Sequence, residues 1–328
     1  MPLDWTPFIE FVQRHQRFLL TTHIRPDGDG LGSMLALAAA LQQRGKSIHL
    51  AVASVLPPRY DFLDPQRTVR QFQLPGREYD ACDAILVLDT GTWNQLGDIG
   101  IYIQQRQLPS LVIDHHLTQD DLGGQRLVDS TAEATGRLIY EAISALGETL
   151  SPTAAQGLFV ALATDTGWFR HSNTTAATLE LAARLVEAGA NPTTTYEMLF
   201  EQNSLARLRL TGLVLDRLEL HEDGQVCTSE IRREDYTQTG AVPQDSEDLI
   251  NYLRSLQGVE LAILFFEQPL GGIKVSFRSR SRVDVARLAE SFGGGGHRRA
   301  SGAVLETNLS EARSRILAAV RPLLYQPS

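Results

Sequence analysis

Four short segments of this chain concentrate side chains able to hold a metal ion or move a proton. They are His23 with Asp27 and Asp29, then Asp89, then Asp114-His115-His116, and last Asp165. Gathering carboxylates in one place is unfavourable unless a positive charge neutralises them. A pair of divalent ions is the simplest neutraliser. Mixed imidazole and carboxylate donors suit Mn²⁺ or a similar octahedral ion, with Mg²⁺ and Co²⁺ as alternatives, better than Ca²⁺. Two such ions can lower the pKa of a shared water and offset charge growing on phosphoryl oxygens. The chemistry expected is metal-dependent hydrolysis of a phosphoester.

The elements around these segments explain how they meet. Near-continuous apolar runs at 18–22, 48–53, 84–88 and 111–113 predict buried strands, with a further short strand at 127–128. Helical stretches alternate with them, at 31–44 ending on Gly45, at 132–146 with Ser130 as cap, and at 152–163 behind Ser151-Pro152. Strands of that kind, separated by helices, imply an α/β fold whose parallel sheet is covered on both faces. Ligands of such sheets bind at the carboxyl ends of the strands. His23, Asp27, Asp29, Asp89 and the 114–116 segment all fall there, while Asp165 closes a helix.

Length and composition fit this reading. At 328 residues the chain suggests two domains, and 43% hydrophobic with 21% charged residues is ordinary for a globular protein. The longest apolar run, 34–41, is too short to span a bilayer, so no membrane role is expected. Residues 1–17 carry Asp4, Glu10, Arg14 and His15 and do not read as a signal peptide. Two cysteines, Cys82 and Cys227, form no disulfide or zinc pattern, which points to the cytoplasm. A net charge of −9 argues against coating long nucleic acid.

Charge is distributed unevenly, however. Between 274 and 299 stand Lys274, Arg278, Arg280, Arg282, Arg287, Arg298 and Arg299 against Asp284 and Glu290. Beside them, Gly293-Gly294-Gly295-Gly296 can expose backbone N–H groups to an anion, and His297 follows directly. A solvated basic face or a flexible loop would be the plainer explanation of each feature alone. Together they suggest a clamp for the phosphate or base of a short substrate. Strands at 225–231, 261–266 and 273–277 and helices at 246–256, 283–292 and 310–324 make this a smaller α/β unit. Helices are also expected at 177–188 and 193–200, and the leucine-rich stretch 204–218 as a connector able to bury a face within the chain or in a homodimer. The expected division is 1–200, a connector over 201–220, and 221–328.

Other enzyme classes fit poorly. The strand-to-helix turn Asp27-Gly28-Asp29-Gly30-Leu31-Gly32 lacks GxGxxG, and its carboxylates would repel a dinucleotide pyrophosphate. No GxSxG nucleophile elbow occurs.

The residues in sum resemble a known family. His23-x₃-Asp27-x-Asp29, Asp89, Asp114-His115-His116 and Asp165 are similar to the four motifs of the DHH phosphoesterases. The 277–280 segment Phe-Arg-Ser-Arg and the 293–302 segment Gly-Gly-Gly-Gly-His-Arg-Arg-Ala-Ser-Gly resemble a DHHA1 domain. Layout and length resemble the bifunctional oligoribonuclease (nanoRNase) and pAp phosphatase branch. The resemblance implies an N-terminal DHH domain and a smaller C-terminal DHHA1 domain. It implies one metal on His23, Asp27 and Asp89 and a second on Asp29, Asp89, His115 and Asp165. His116 would act beside the scissile phosphate as orienter or proton donor, with Asp114 supporting it. Arg278, Arg280, Gly294, Gly295, Gly296, His297, Arg299 and Ser301 would bind substrate. Expected substrates are RNA or DNA oligomers of about two to five nucleotides and 3′-phosphoadenosine 5′-phosphate (pAp). The alternatives are a cyclic dinucleotide or its linear product, and a nucleotide-sensing module without turnover.

Overall fold

The computed structural model describes residues 3–324 and divides into two compact units, 1–202 and 203–328. In the first unit the strands are β1 (Arg17–Thr21), β2 (Ser47–Val52), β3 (Val69–Gln71), β4 (Ala84–Leu88), β5 (Ser110–Asp114) and β6 (Gln125–Val128). The helices are α1 (Thr6–Arg14), α2 (Gly28–Gln43), α3 (Asp98–Arg106), α4 (Thr135–Ala145), α5 (Pro152–Asp165), α6 (Ala176–Glu187) and α7 (Pro192–Phe200).

The sheet runs β3-β2-β1-β4-β5-β6 with every pair parallel. Its central strands are apolar on both faces because both are covered. Phe18 and Leu20 of β1 pack with Leu86 and Leu88 of β4 in one core, while Leu19, Ile85 and Val87 face the other. The chain leaves β1 in one direction and β4 in the other, so β1 and β4 flank the topological switch point, where crevices form.

Two helices complete this geometry. α2 and α5 cross where Gly32 meets Gly157. A Cβ built on Gly32 would stand 2.2 Å from the Gly157 carbonyl oxygen. Without side chains there, the start of α2 and the end of α5 share one end of the sheet.

The second unit holds α8 (Leu205–Asp216), β7 (Glu219–His221), β8 (Val226–Ile231), α9 (Arg233–Thr239), α10 (Ile250–Ser255), β9 (Leu261–Glu267), β10 (Ile273–Ser279), α11 (Val285–Glu290), β11 (Gly295–His297), β12 (Ala300–Leu305) and α12 (Leu309–Leu324). Its sheet is mixed, in the order β11-β12-β10-β9-β8-β7. Leu210 and Val214 of α8 lie in this unit's core, and Leu205, Leu208 and Leu215 face outward. Among the described residues no helix is long and apolar enough to cross a membrane.

Several expected boundaries shift. α2 begins at Gly28 instead of 31, because Asp27 caps it by accepting from the Asp29 and Gly30 N–H groups. α4 begins at Thr135, and Ser130 does not cap it; the N-cap is Ala134, whose side chain accepts nothing. The helix expected over 246–256 shrinks to Ile250–Ser255, and that over 283–292 to Val285–Glu290 with Asp284 as cap. α1, β3, α3, β7, α9, β11 and β12 lay outside the expectation.

Candidate metal centre

Each acid and imidazole reaches the centre from a strand or helix end. Thr22 and His23 continue β1, Asp27 and Asp29 open α2, Asp89 follows β4, Asp114 ends β5 with His115 and His116 after it, and Asp165 ends α5. Asp89 holds a left-handed backbone (φ 59°) directly beyond the end of β4.

Three overlapping groups result, each with its ligand atoms within 4.8 Å of one another: His23, Asp27 and Asp89; Asp29, His115 and Asp165; and Asp89, His115 and His116. His23 Nε2 stands 3.5 Å from Asp27 Oδ1 and 3.5 Å from Asp89 Oδ2. His115 Nε2 stands 3.3 Å from Asp165 Oδ2, 3.7 Å from Asp89 Oδ1 and 3.8 Å from Asp29 Oδ2. Donors about 2.1 Å from one octahedral ion lie about 3–4 Å from each other, so these separations match shared coordination better than hydrogen bonding. The two Asp89 oxygens face different groups.

Hydrogen bonds at the far side of each imidazole fix its tautomer. His23 Nδ1 donates to the Ile24 carbonyl at 2.9 Å and His115 Nδ1 to the Ala132 carbonyl at 3.2 Å, leaving both Nε2 atoms aimed inward. His116 differs. Its Nδ1 lies 2.7 Å from Asp114 Oδ1, which also accepts the His115 and His116 N–H groups, while Gln119 Nε2 donates to Oδ2 at 2.5 Å. His116 is thus held at one nitrogen and exposes the other.

The electrostatics register the crowding. Burial, then Asp89 and Asp165, push the Asp29 pKa well above the carboxylate range; burial with Asp89 and Asp27 raises Asp165 to about 8. Burial pulls His23 down, but Asp27 and Asp89 outweigh it and lift the imidazole to about 10. The Asp114 contact lifts His116 to about 9. Carboxylates pushed towards protonation beside one another are what a dication relieves.

Two further observations fit bound cations. Thr22 Oγ1 is buried with no protein partner. A Cβ on Gly30 would stand 2.3 Å from that oxygen and 3.2 Å from both Asp89 Oδ2 and His23 Nε2, so only glycine keeps this cradle open. Gly30→Ala is expected to destabilise the protein by about 1–3 kcal/mol and to weaken Mn²⁺ binding, as read from melting curves with and without the ion. Unchanged binding would show that the cradle lies elsewhere.

The second unit's candidate residues fall into two sets. His297 and Arg299 are exposed on and beside the edge strand β11; Arg278, on β10, is half-buried, and burial lowers its pKa. Arg280 Nη2 instead donates to the Arg254 and Leu256 carbonyls, at 2.8 and 3.2 Å, and the Ser301 hydroxyl donates to the Val285 carbonyl. The glycine run is only partly an open loop. Gly293 and Gly294 N–H groups close α11 on the Glu290 and Ala289 carbonyls, and Gly295 and Gly296 pair with Gly302 and Ser301.

Sequence reasoning missed Thr135, Gly136, Ser33 and Gln119. Thr135 Oγ1 donates to Asp89 Oδ1 at 2.8 Å; Thr135 N and Gly136 N donate to the two Asp29 oxygens at 2.7 and 2.8 Å; Ser33 Oγ reaches Asp29 Oδ1 at 3.2 Å. Only Ser33, one helical turn beyond Asp29, had a local signal.

The parallel sheet and the acid–imidazole cluster at its switch point define a metal-dependent phosphoesterase. The model of the DHH family N-terminal domain matches residues 17–164 and that of the DHHA1 domain residues 223–325. A relative from Thermus thermophilus, the bifunctional oligoribonuclease and PAP phosphatase NrnA, is 30% identical over 304 residues, which cover 92% of this chain and 88% of the relative. The Bacillus subtilis protein of the same name is 27% identical over 305 residues, 91% of this chain and 92% of that one. The fold is also that of an exopolyphosphatase-related protein from Bacteroides fragilis, with a TM-score of 0.91 at 24% identity over 98% of this chain and 97% of the other. The chain belongs to the DHH family and carries a C-terminal DHHA1 domain.

Proposed function

We propose that this protein hydrolyses RNA oligomers of about two to five nucleotides to mononucleotides, and pAp to AMP and phosphate, using two divalent ions, with Mn²⁺ as the first choice. The observation that carries the reading is the division of Asp89, one oxygen towards His23 and the other towards His115. His23, Asp27 and Asp89 would hold one ion, and Asp29, Asp89, His115 and Asp165 the other. When bound, the ions supply Lewis acidity and an activated water. The names of the relatives support the substrate choice.

The chain's own part is positioning and proton transfer. His116, gripped through Nδ1 by Asp114, presents Nε2–H and stays protonated up to about pH 9 before metals bind. It would protonate the leaving oxygen. Asp114, fully buried and bonded at both oxygens, keeps that imidazole from rotating. Phosphate or base recognition is assigned to the second unit, chiefly His297, Arg299 and Arg278. Arg280, Ser301 and the glycines shape the surface through the internal bonds described above. The net charge of −9 favours short substrates over long ones. Both cysteines are buried and unpaired, in keeping with a reducing cytoplasm.

Product analysis with Mn²⁺ tests this directly. Two- to five-nucleotide RNAs should give mononucleotides and pAp should give AMP, while a long RNA is cut far more slowly. Equal cutting of long RNA, or no reaction with either small substrate, would count against it. His297→Ala should raise KM about tenfold with a smaller change in kcat, the cost of one charge-assisted hydrogen bond to substrate. An unchanged KM would remove His297 from recognition.

A further inference from the structure

We propose that Thr135 is a positioning residue that sets the geometry of both metal subsites at once, an inference that rests on the two-ion reading above. α4 arrives at the centre with its N-cap position occupied by Ala134, which has no side-chain acceptor for the helix's first N–H groups. Asp29 supplies that acceptor from 106 residues away: Oδ2 takes the Thr135 N–H at 2.7 Å and Oδ1 the Gly136 N–H at 2.8 Å. The Thr135 hydroxyl then donates to Asp89 Oδ1 at 2.8 Å. One residue therefore holds the acid assigned to both ions and an acid assigned to the second.

The consequence follows from the groups involved. Thr135, Asp29 and Asp89 are buried, with exposures of 0%, 0% and 2%, so water does not replace a lost donor cheaply. Asp89 Oδ1 is the oxygen nearer His115 (3.7 Å), and the hydroxyl fixes the carboxylate's rotation so that Oδ2 remains towards His23 (3.5 Å). Without it the carboxylate turns about its Cβ–Cγ bond and both subsites lose alignment together. Gly136 allows the approach. A Cβ there would stand 2.5 Å from the Ala161 Cβ on α5.

The test compares Thr135→Val with Thr135→Ser in the full chain, stripped with chelator and titrated with Mn²⁺ in a calorimeter. Valine keeps the shape and the backbone N–H but not the hydroxyl; serine keeps the hydroxyl but not the methyl. Outer partners of metal ligands typically change affinity about 10–100-fold, so valine should weaken Mn²⁺ binding by that factor and serine should restore most of it. A packing role gives the reverse order, with serine worse than valine, and would overturn the proposal, as would valine binding with wild-type affinity. Melting of the metal-free variants confirms that both are folded. Wild type that binds no Mn²⁺ would instead overturn the two-ion reading itself, whatever the variants do.

Discussion

Asp89→Asn should abolish Mn²⁺-dependent hydrolysis while leaving the metal-free protein folded. Losing an outer partner of a ligand costs about 10–100-fold; losing a carboxylate that two ions share should cost on the order of 10³-fold or more in kcat/KM. The backbone does not confound the test, because asparagine tolerates the left-handed region (φ 59°) better than most residues. Its amide oxygen can still accept from Thr135 Oγ1. The metal-free fold should survive, because losing a charge that pushes Asp29 and Asp165 towards protonation offsets the loss of the Asp89 pairing with His23. Activity assays and melting curves on one preparation read both outcomes. A folded variant that retains a tenth or so of its activity would exclude Asp89 as the shared ligand.

The second large effect is a pH dependence that metal reverses. His23, raised to about 10, and His116, raised to about 9, stabilise the folded state while protonated; that contribution is complete below their ordinary 6.5 and lost as pH climbs through the raised values. Asp165, raised to about 8, and Asp29, raised well above the carboxylate range, carry the same sign: their contribution is complete below 3.8 and lost as pH rises. All four groups make the metal-free protein less stable with rising pH. Between pH 6 and 8.5 its melting temperature should fall by about 5 °C or more. Metal binding needs three of these groups, His23, Asp29 and Asp165, deprotonated, so the rise in melting temperature on adding Mn²⁺ should grow over that interval. A metal-free melting temperature that climbs with pH would show that the charges are compensated by some other route.

Much of this centre was legible because it stands at strand ends. Leu19 and Leu20 are both buried, one on each face of the sheet, so the strand reads as an unbroken apolar run and its end is easy to find. His23, Asp89 and Asp114 follow such runs directly. What stayed hidden depends on partners distant in sequence. Ser130 looked like the cap of α4 because the sequence offers no sign that Asp29, 106 residues before Thr135, fills that role. Thr135 had no signal for the same reason, its acceptor lying 46 residues earlier. The glycine run was misread in part. Its first two N–H groups close α11 and the rest meets β12, pairings that no local pattern of glycines encodes.

Two ions acting at one shared carboxylate are the centre of the proposed mechanism. Its most direct test is the rate of RNA-dinucleotide cleavage by metal-stripped wild type, measured against the number of Mn²⁺ ions bound per chain. The rate should saturate at two ions, with little turnover until the second subsite fills. Full activity with one ion bound, or cleavage without any, would contradict it.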